Sequence, residues 1–339
     1  MIENRIALTC IVSVYNSEKT IGDTLISIKN QTIENWECII VDDNSNDSTI
    51  SVIKEIIEDD IRFKLIINRE NRGKSFGCNL AIKNTISDKI IFIDSDDFFK
   101  NNCFESRLNI FEKNSRFGVI FFPNYILFNK NSENIYNEVK EIIFYEIEKK
   151  EKTLSTFLKH QLPLRWQHSL AIWKKETLIR IGMYNENLFR IIDADLFTKV
   201  LLYDIEYKEI FGDADFYYRI TTDENITKLK RDNFIKSSLI YVSSILELVN
   251  KELTDKQKTV RLNFKKLIIH LYLITLVSNQ FSIIDINIIL KFALNNNLIS
   301  KSLFNIFSKT ANKNVLWIFR LKGIRGFIWN LTNRFYIRN

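Results

Sequence analysis

Short apolar segments alternate with amphipathic ones over the first third of the chain. The apolar runs are uninterrupted and rich in isoleucine and valine, which is typical of strands buried on both faces of a parallel sheet. Between them, apolar residues recur at helical spacing, as at Ile21, Leu25 and Ile28. This alternation predicts a mostly parallel α/β sheet with helices on both faces. The predicted strands cover Ile6–Val14, Trp36–Val41, Phe63–Ile67 and Lys89–Ile93.

Polar residues follow three of the predicted strands directly. Tyr15 follows the first strand, Asp43 follows the second, and the acidic run Asp94–Asp97 follows the fourth. In parallel α/β sheets, ligands bind beyond the carboxyl ends of the strands. Carboxylates held this close repel one another unless a cation lies between them, and their hard oxygens suit Mg²⁺ or Mn²⁺. The sequence therefore predicts a metal and nucleotide site at this edge, although an acidic turn that caps the next helix is the alternative.

Two common phosphate-binding motifs are absent from the sequence. No GxGxxG follows the first predicted strand, and no GxxxxGK[ST] occurs anywhere in the chain. A dinucleotide cradle and a P-loop are therefore disfavoured. A metal ion held by the acidic run would neutralise phosphate instead.

Four ordered segments resemble the signatures of glycosyltransferase family 2, whose members have the GT-A fold. The segments are Val12–Asn16 (VSVYN), Val41–Ser45 (VDDNS), Asn71–Gly73 (NRG) and Ile93–Asp97 (IDSDD). The resemblance covers roughly the first two-thirds of the chain. It implies a Rossmann-like, mostly parallel sheet flanked by helices. From about Asp232 onward, apolar residues recur at helical spacing and glycine and proline are absent until Gly323, which predicts a C-terminal helical subdomain.

The resemblance also implies roles for individual residues. Tyr15 and Asp43 would lie at the nucleoside, with Asp43 accepting a hydrogen bond from a uracil ring. In the DXD motif, Asp96 would contact the ribose and the metal, Asp97 would be the second metal ligand, and Asp94 would support them. Ser13, where the family usually has proline, and Lys74 complete the implied nucleotide site.

Cys78 stands where the family often has an arginine. A phosphate or ribose contact would then be missing, or Lys74 would provide it.

The implied catalytic base lies further along the chain. The stretch Ile181–Lys199 resembles the family segment in which an acidic residue opens a helix, and Asp193 fits that position. Ile192 replaces the usual acidic neighbour, so Asp195 is the alternative base. A carboxylate opposite the departing nucleotide can take the proton of the attacking hydroxyl, which is the geometry of an inverting transfer. The alternative role for Asp193 is a helix N-cap.

Aromatic and polar groups adjoin one another just before this stretch. Trp166, His168 and Trp173 are candidates for a surface that contacts an acceptor sugar. The alternative is that the histidine is packed and hydrogen-bonded, and that both tryptophans are buried in the core.

The charge of the chain is concentrated near its C-terminus. The net charge is +7, yet residues 1–300 carry 40 basic and 41 acidic residues, whereas residues 301–339 carry eight basic and no acidic ones. The aromatic and basic stretch 315–331 suits the surface of an anionic membrane. A helix docked on the catalytic domain is the alternative, and nucleic acid is disfavoured because no binding motif accompanies the charge.

The cysteines and the N-terminal residues point to one compartment. The four cysteines form no CxxC pair and lie in or near apolar segments, as expected of buried thiols in a reducing environment. The first residues lack the layout of a signal peptide. We expect a cytoplasmic protein that can lie peripherally on the inner face of the cell membrane.

We expect two domains. Residues 1–230 would form the catalytic domain, with a nucleotide-binding half (1–100) and an acceptor half (101–230), and residues 231–339 would form a helical region with a basic amphipathic tail.

The predicted function is metal-dependent, inverting transfer of a sugar in the synthesis of surface polysaccharide or oligosaccharide. The donor would be a nucleotide-sugar, most simply a UDP-sugar, and the acceptor a glycan or a lipid-linked glycan. The alternatives are a sugar-nucleotide nucleotidyltransferase and a non-catalytic partner subunit with the same fold. The nucleotidyltransferase should show a glycine-rich basic loop after its first strand, and Tyr15–Glu18 does not provide one.

Overall fold

A computed structural model describes residues 6–122, 125–129, 140–142, 167–220, 224–265, 268 and 283–310. Trp166 and the stretch 315–331 lie outside these residues. The chain divides into two compact units. The first comprises Met1–Lys150 with Leu164–Asp223, and the second comprises Glu151–Pro163 with Glu224–Asn339.

The first unit contains the strands and the shorter helices. Its strands are β1 (Leu8–Val14), β2 (Trp36–Asp42), β3 (Phe63–Ile67), β4 (Lys89–Asp94), β5 (Phe98–Phe99), β6 (Val119–Phe121), β7 (Tyr125–Asn129), β8 (Lys140–Ile142), β9 (Ala171–Lys174), β10 (Tyr207–Glu209) and β11 (Phe216–Ile220). Its helices are α1 (Ile21–Lys29), α2 (Thr49–Ile57), α3 (Lys74–Asn84), α4 (Cys103–Lys113), α5 (Lys175–Arg180) and α6 (Ile192–Leu202), with a 3₁₀ turn at His168–Leu170.

Seven strands form the central sheet, in the order β10-β6-β9-β4-β1-β2-β3. Strands β4, β1, β2 and β3 are parallel, and β9 runs antiparallel to both β4 and β6. A second sheet has the order β5-β11-β7-β8. The predicted α/β fold with a mostly parallel sheet is confirmed.

The strand register brings the predicted polar residues to one edge. Ser13 on β1 pairs with Val41 on one side and with Asp94 on the other, and Val14 pairs with Asp42. The carboxyl ends of β1, β2 and β4 therefore lie side by side.

The core of the first unit follows the predicted pattern. The residues of α1 expected to face inward, Ile21, Leu25 and Ile28, are fully buried. Trp36 packs edge-on against Phe63, with ring centroids 5.3 Å apart. All four cysteines are free and buried, as expected.

Close packing of α3 on β1 gives a test of the fold near the predicted site. A Cβ added at Gly77 would lie 2.7 Å from Ser13 Oγ and 3.5 Å from Val41 Cγ1. We expect Gly77→Ala to lower the free energy of unfolding by about 1–3 kcal/mol, because the helix and the strand must move apart. The matched control is Gly22→Ala on α1, where the nearest atom, Ile56 Cδ1, is 3.5 Å away.

Denaturant titration of both variants checks this expectation. Gly22→Ala should raise stability by up to about 1 kcal/mol, since alanine is the better helix former. If Gly77→Ala is as stable as Gly22→Ala, the close approach of α3 to Ser13 is incorrect.

The second unit is helical in its described parts. It contains α7 (Glu224–Lys251), a 3₁₀ turn (Thr254–Lys256), helical residues 257–265, α8 (Ile283–Asn295) and α9 (Lys301–Thr310). Tyr241 and Phe264 pack edge-to-face in it, with centroids 5.6 Å apart. Across the described parts of both units, every helix is too short or too polar to cross a lipid bilayer.

Candidate active site

Three carboxylates lie together where β4 ends. We call residues Asp94–Asp97 the acid turn; its backbone is closed by a hydrogen bond from Asp97 N to Asp94 O of 3.2 Å. One carboxylate oxygen from each of Asp94, Asp96 and Asp97 lies within 4.8 Å of the others. The sequence expectation that these groups converge is therefore met in the geometry.

Asp94 is held by two positively polarised partners. Its Oδ1 accepts hydrogen bonds from Lys74 Nζ and, at 2.8 Å, from His168 Nε2. Burial raises the pKa of Asp94, but Lys74 and His168 outweigh it and hold the pKa well below its usual range. Asp94 is therefore ionised at neutral pH.

Lys74 occupies the space near the unusual Cys78. The two residues lie one helical turn apart on α3, and burial raises the pKa of the Cys78 thiol to about 12. Burial lowers the pKa of Lys74, but Asp94 and Asp193 reverse the effect and the net shift is upward. A charged amine thus lies beside Asp94, and a neutral thiol lies one helical turn further along α3.

His168 is bonded to the first residue of the acid turn. It is 2% exposed, and its ring stacks on Phe92 with centroids 5.5 Å apart. Its Nδ1 lies 3.1 Å from the Tyr184 hydroxyl, and its Nε2 bonds to Asp94. The structure therefore corrects the expected acceptor contact: His168 is a buried residue that orients Asp94.

Asp193 lies at the start of α6 and faces the same group of residues. Burial raises the pKa of Asp193, whereas nearby His168 and Lys74 lower it, and the net shift is upward. Its Oδ1 makes no hydrogen bond to any residue that the structure describes. The N-cap position belongs to Ile191, in a left-handed conformation with φ 54°, so the alternative role of Asp193 as N-cap is not adopted.

Asp195, the alternative base, points elsewhere. It is fully buried, and its Oδ2 lies 2.7 Å from Lys199 Nζ one helical turn later. A carboxylate sequestered in this ion pair is not available to an acceptor hydroxyl. The structure therefore favours Asp193 over Asp195.

Asp43 is tied to the loop that leads into α3. Its Oδ1 accepts from Asn68 Nδ2 and from Arg72 N, both at 2.9 Å, and its Oδ2 accepts from Gly73 N at 2.6 Å. Asp43 is 2% exposed, so it fixes the loop that carries Lys74. Its predicted contact with a base stays a prediction.

The neighbouring Asp42 was not singled out from the sequence. Its Oδ2 accepts from Ser45 N at 3.0 Å. Its Oδ1 is buried and lacks a hydrogen-bond partner within the described residues.

The end of β1 is more exposed. Tyr15 is 47% exposed beyond the last residue of the strand, which suits its predicted contact with a nucleoside. The hydroxyls of Ser17 and Ser95 are 2.8 Å apart, which joins the loop after β1 to the acid turn.

Arg219 on β11 contacts the acid turn and was missed by sequence reasoning. Its Nε donates to Asp96 O at 2.6 Å, its backbone N donates to Asp97 Oδ1 at 2.8 Å, and its Nη2 lies 2.6 Å from Asp23 Oδ2. No sequence pattern marks it, because the contact joins residues more than a hundred positions apart.

The charge state of the acid turn bears on a cation. Burial, together with the neighbouring carboxylates, raises the pKa of both Asp96 and Asp97. A divalent cation would relieve this repulsion, and three hard oxygens at this spacing suit Mg²⁺ or Mn²⁺. The residues present therefore fit the ion that the family resemblance implies.

Trp173 does not belong to this group. It is fully buried in β9, with its ring stacked on Phe197 at 6.1 Å and edge-on to Phe121 at 5.9 Å. Its ring is part of the core, not of a surface that an acceptor could contact.

Comparison with known sequences identifies the domain. Residues 9–175 match the family described as Glycosyl transferase family 2. An uncharacterized glycosyltransferase of Haemophilus influenzae is 36% identical over 107 residues, which are 32% of this chain and 43% of that protein. The UDP-Glc:alpha-D-GlcNAc-diphosphoundecaprenol beta-1,3-glucosyltransferase WfgD of Escherichia coli is 34% identical over 125 residues, or 37% of this chain and 48% of that protein. The chain thus spans less than half of the length of either relative.

Two solved structures share the fold. S. aureus TarS in complex with UDP-GlcNAc has a TM-score of 0.62 at 17% identity, covering 96% of this chain and 92% of that one. The mannosyltransferase PcManGT of Pyrobaculum calidifontis, in complex with GDP-Man and Mn²⁺, has a TM-score of 0.51 at 13% identity, covering 99% and 88%. At such identities the likeness concerns the fold alone. The match over residues 9–175 identifies that part of the chain as a domain of glycosyltransferase family 2, a family of sugar-transferring enzymes.

Proposed function

We propose that the protein transfers a sugar from a UDP-sugar to a hydroxyl of a glycan or lipid-linked glycan, with inversion, in the synthesis of surface polysaccharide or oligosaccharide. The observation that carries this proposal is the shared location of the acid turn and Asp193. Asp94 bonds to Lys74 and His168, and both of these residues are near enough to Asp193 to lower its pKa, so a sugar held between the acid turn and Asp193 would contact both.

Two relatives support the choice of donor and acceptor. WfgD is named as an enzyme that uses UDP-Glc and a diphosphoundecaprenol-linked acceptor, and TarS binds UDP and UDP-GlcNAc. Family membership also argues against the sugar-nucleotide nucleotidyltransferase considered from the sequence. The membrane surface remains a prediction, because stretch 315–331 lies outside the described residues.

Asp96 and Asp97, with Asp94 beside them, would hold a divalent cation. When bound, Mn²⁺ or Mg²⁺ supplies positive charge that stabilises the diphosphate as it departs. Lys74 and His168 keep Asp94 ionised and oriented, so the negative charge of Asp94 does not depend on the metal being bound.

Asp193 would act as the general base. Its raised pKa makes it a better proton acceptor than an exposed aspartate, since efficient bases have pKa values closer to the working pH. It would take the proton of the acceptor hydroxyl as oxygen attacks the sugar carbon, and the nucleotide leaves from the opposite face. A single displacement of this kind inverts the configuration at that carbon.

Thermal shift with a panel of nucleotides tests the proposal. We expect UDP, but not GDP, CMP or dTDP, to raise the melting temperature when Mn²⁺ is present, and EDTA to abolish most of the rise. Asp96→Asn should lose the metal-dependent part because it removes a ligand oxygen. Asp59→Asn, at an exposed position after α2, is the matched control and should behave like the wild type.

Three other outcomes would each change the proposal. A rise with a different nucleotide would replace UDP as the donor. A rise that is indifferent to EDTA and to Asp96→Asn would remove the metal. No rise with any nucleotide would favour a non-catalytic partner subunit.

A further inference from the structure

Arg219 is a buried arginine whose contacts converge on the acid turn. It is 4% exposed, and its guanidinium lies 5.6 Å from the centroid of Phe98, the residue after the turn. Two of its hydrogen bonds end on the turn, at the Asp96 carbonyl and the Asp97 carboxylate, and a third ends on Asp23 of α1. One residue thus connects β11 and α1 to both of the proposed metal ligands.

The position of Arg219 is determined by strand pairing. β11 pairs with β5 antiparallel, with Tyr217 opposite Phe98 and Phe216 opposite Phe99. The rings of Phe98 and Tyr217 also stack, with centroids 4.6 Å apart. Since β5 follows the acid turn directly, this pairing fixes the distance between Arg219 and the turn.

The side chain of Arg219 bonds to the main chain of the turn and to Asp23. Its Nε bonds to the main-chain carbonyl of Asp96, and its Nη2 bonds to Asp23, whose side chain is 53% exposed. The contact with the Asp97 carboxylate comes from the backbone N–H of Arg219. The guanidinium is therefore ion-paired with Asp23, while its bond to the acid turn is made to a main-chain oxygen.

We propose that Arg219 is a positioning residue that holds Asp96 and Asp97 at the spacing a divalent cation requires, with Asp23 orienting its guanidinium. This inference rests on the proposed function, because it concerns the same metal site. The guanidinium is planar, and it makes two bonds in fixed directions: Nε donates to the Asp96 carbonyl, and Nη2 donates to the Asp23 carboxylate. The ammonium of a lysine lacks that planar geometry, so the replacement is not conservative here.

The test measures Mn²⁺ binding to the whole protein, without substrate turnover. Water-proton relaxation during a Mn²⁺ titration gives the dissociation constant for wild type, Arg219→Lys and Asp23→Asn. Loss of residues that orient metal ligands typically weakens metal affinity by about 10–100-fold, and we expect Arg219→Lys to fall in that range. Asp23→Asn should weaken Mn²⁺ binding in the same direction.

Arg62→Lys is the matched control. Arg62 pairs with Asp60 at 2.7 Å, and none of its hydrogen bonds within the described residues reaches the acid turn. Arg62→Lys should bind Mn²⁺ like the wild type. This control shows whether the effect is specific to Arg219 or follows from replacing any arginine.

The outcomes distinguish this inference from the proposed function. If wild type binds Mn²⁺ and Arg219→Lys binds it equally well, the positioning role is overturned, whatever the melting temperature does, and the proposed function stands. If wild type binds no Mn²⁺, the metal part of the proposed function fails and the inference fails with it. If Arg219→Lys does not fold, the Mn²⁺ affinity of Asp23→Asn tests the inference instead, because Asp23 is exposed and its replacement should not prevent folding. Unchanged Mn²⁺ affinity in Asp23→Asn would overturn the inference.

Discussion

Replacing Asp193 with asparagine is expected to lower kcat by about 10²–10⁴-fold while leaving UDP affinity within about twofold, because general-base catalysis contributes rate enhancements of that size. Asparagine has nearly the same shape as aspartate but cannot accept the proton of the acceptor hydroxyl. The proposed nucleotide ligands lie on the acid turn, at the ends of β1 and β2 and at Lys74 on α3, and Asp193 is not one of them, so we expect little change in donor binding. Steady-state kinetics with a saturating donor, and UDP titration of the same variant, measure the two effects.

The same substitution should not weaken the fold. The pKa of Asp193 is raised in the folded state, so the folded protein holds this proton more tightly than the unfolded chain does. Stability contributed by the protonated group is present below the unfolded pKa of about 3.9 and is lost as pH rises through the folded pKa. At neutral pH wild type therefore carries a destabilising carboxylate that Asp193→Asn lacks, and the variant should be at least as stable.

Asp195→Asn provides the contrasting control on the same helix. It leaves Lys199 without its ion-pair partner, and breaking a buried pair typically costs about 3–5 kcal/mol. We expect it to lose stability but to keep its activity per folded molecule. If Asp193→Asn stays active, and Asp195→Asn folds normally but is inactive, then Asp195 is the general base and Asp193 is not.

The strands and the acid turn could be predicted because each is encoded by one continuous segment. The run from Lys89 to Ile93 has no polar break, and the carboxylates follow it directly, so a strand with an acidic end is the simplest interpretation. The parallel register then follows from the order of strands and helices. The family resemblance added Asp193, which no local pattern distinguishes from other helix-opening aspartates.

The partners of these residues could not be predicted, because they meet only in the folded chain. His168 is 74 positions from Asp94, and Arg219 is 123 positions from Asp96. The segment around Arg219 carries no motif, and the aromatic and polar segment around His168 does not indicate that its partner is Asp94. Trp173 has the same neighbours in sequence whether it faces a ligand or the core. Only the folded structure, in which Trp173 on β9 stacks on Phe197, shows that this tryptophan faces the core.

The surroundings of the unexpected Cys78 also become visible only in the folded chain. The sequence left open whether Lys74 takes over the contact of the missing arginine. In the structure Lys74 bonds to Asp94 from one turn earlier on α3. A positive charge is therefore present next to the acid turn, and its contact with phosphate or ribose stays a prediction.

Arg107 is expected to dominate the stability of the first unit. The fully buried guanidinium donates to Asp215 through Nε at 2.8 Å and Nη2 at 2.7 Å, and to the Ser169 carbonyl through Nη1 at 2.7 Å. We expect Arg107→Ala to lower the free energy of unfolding by about 3–5 kcal/mol, since it strands a largely buried carboxylate and a buried carbonyl. Denaturant titration measures the change.

Lys113→Ala, an exposed position on the same helix, is the control and should change stability by less than about 0.5 kcal/mol.

The double replacement Arg107→Met with Asp215→Leu separates charge from packing, because apolar groups can replace a buried ion pair at little cost. It should recover much of the stability but not the activity, since Ser169 adjoins His168, and His168 orients Asp94 only while its own backbone is held. If the double variant folds and is fully active, Arg107 is not needed to hold His168 in place.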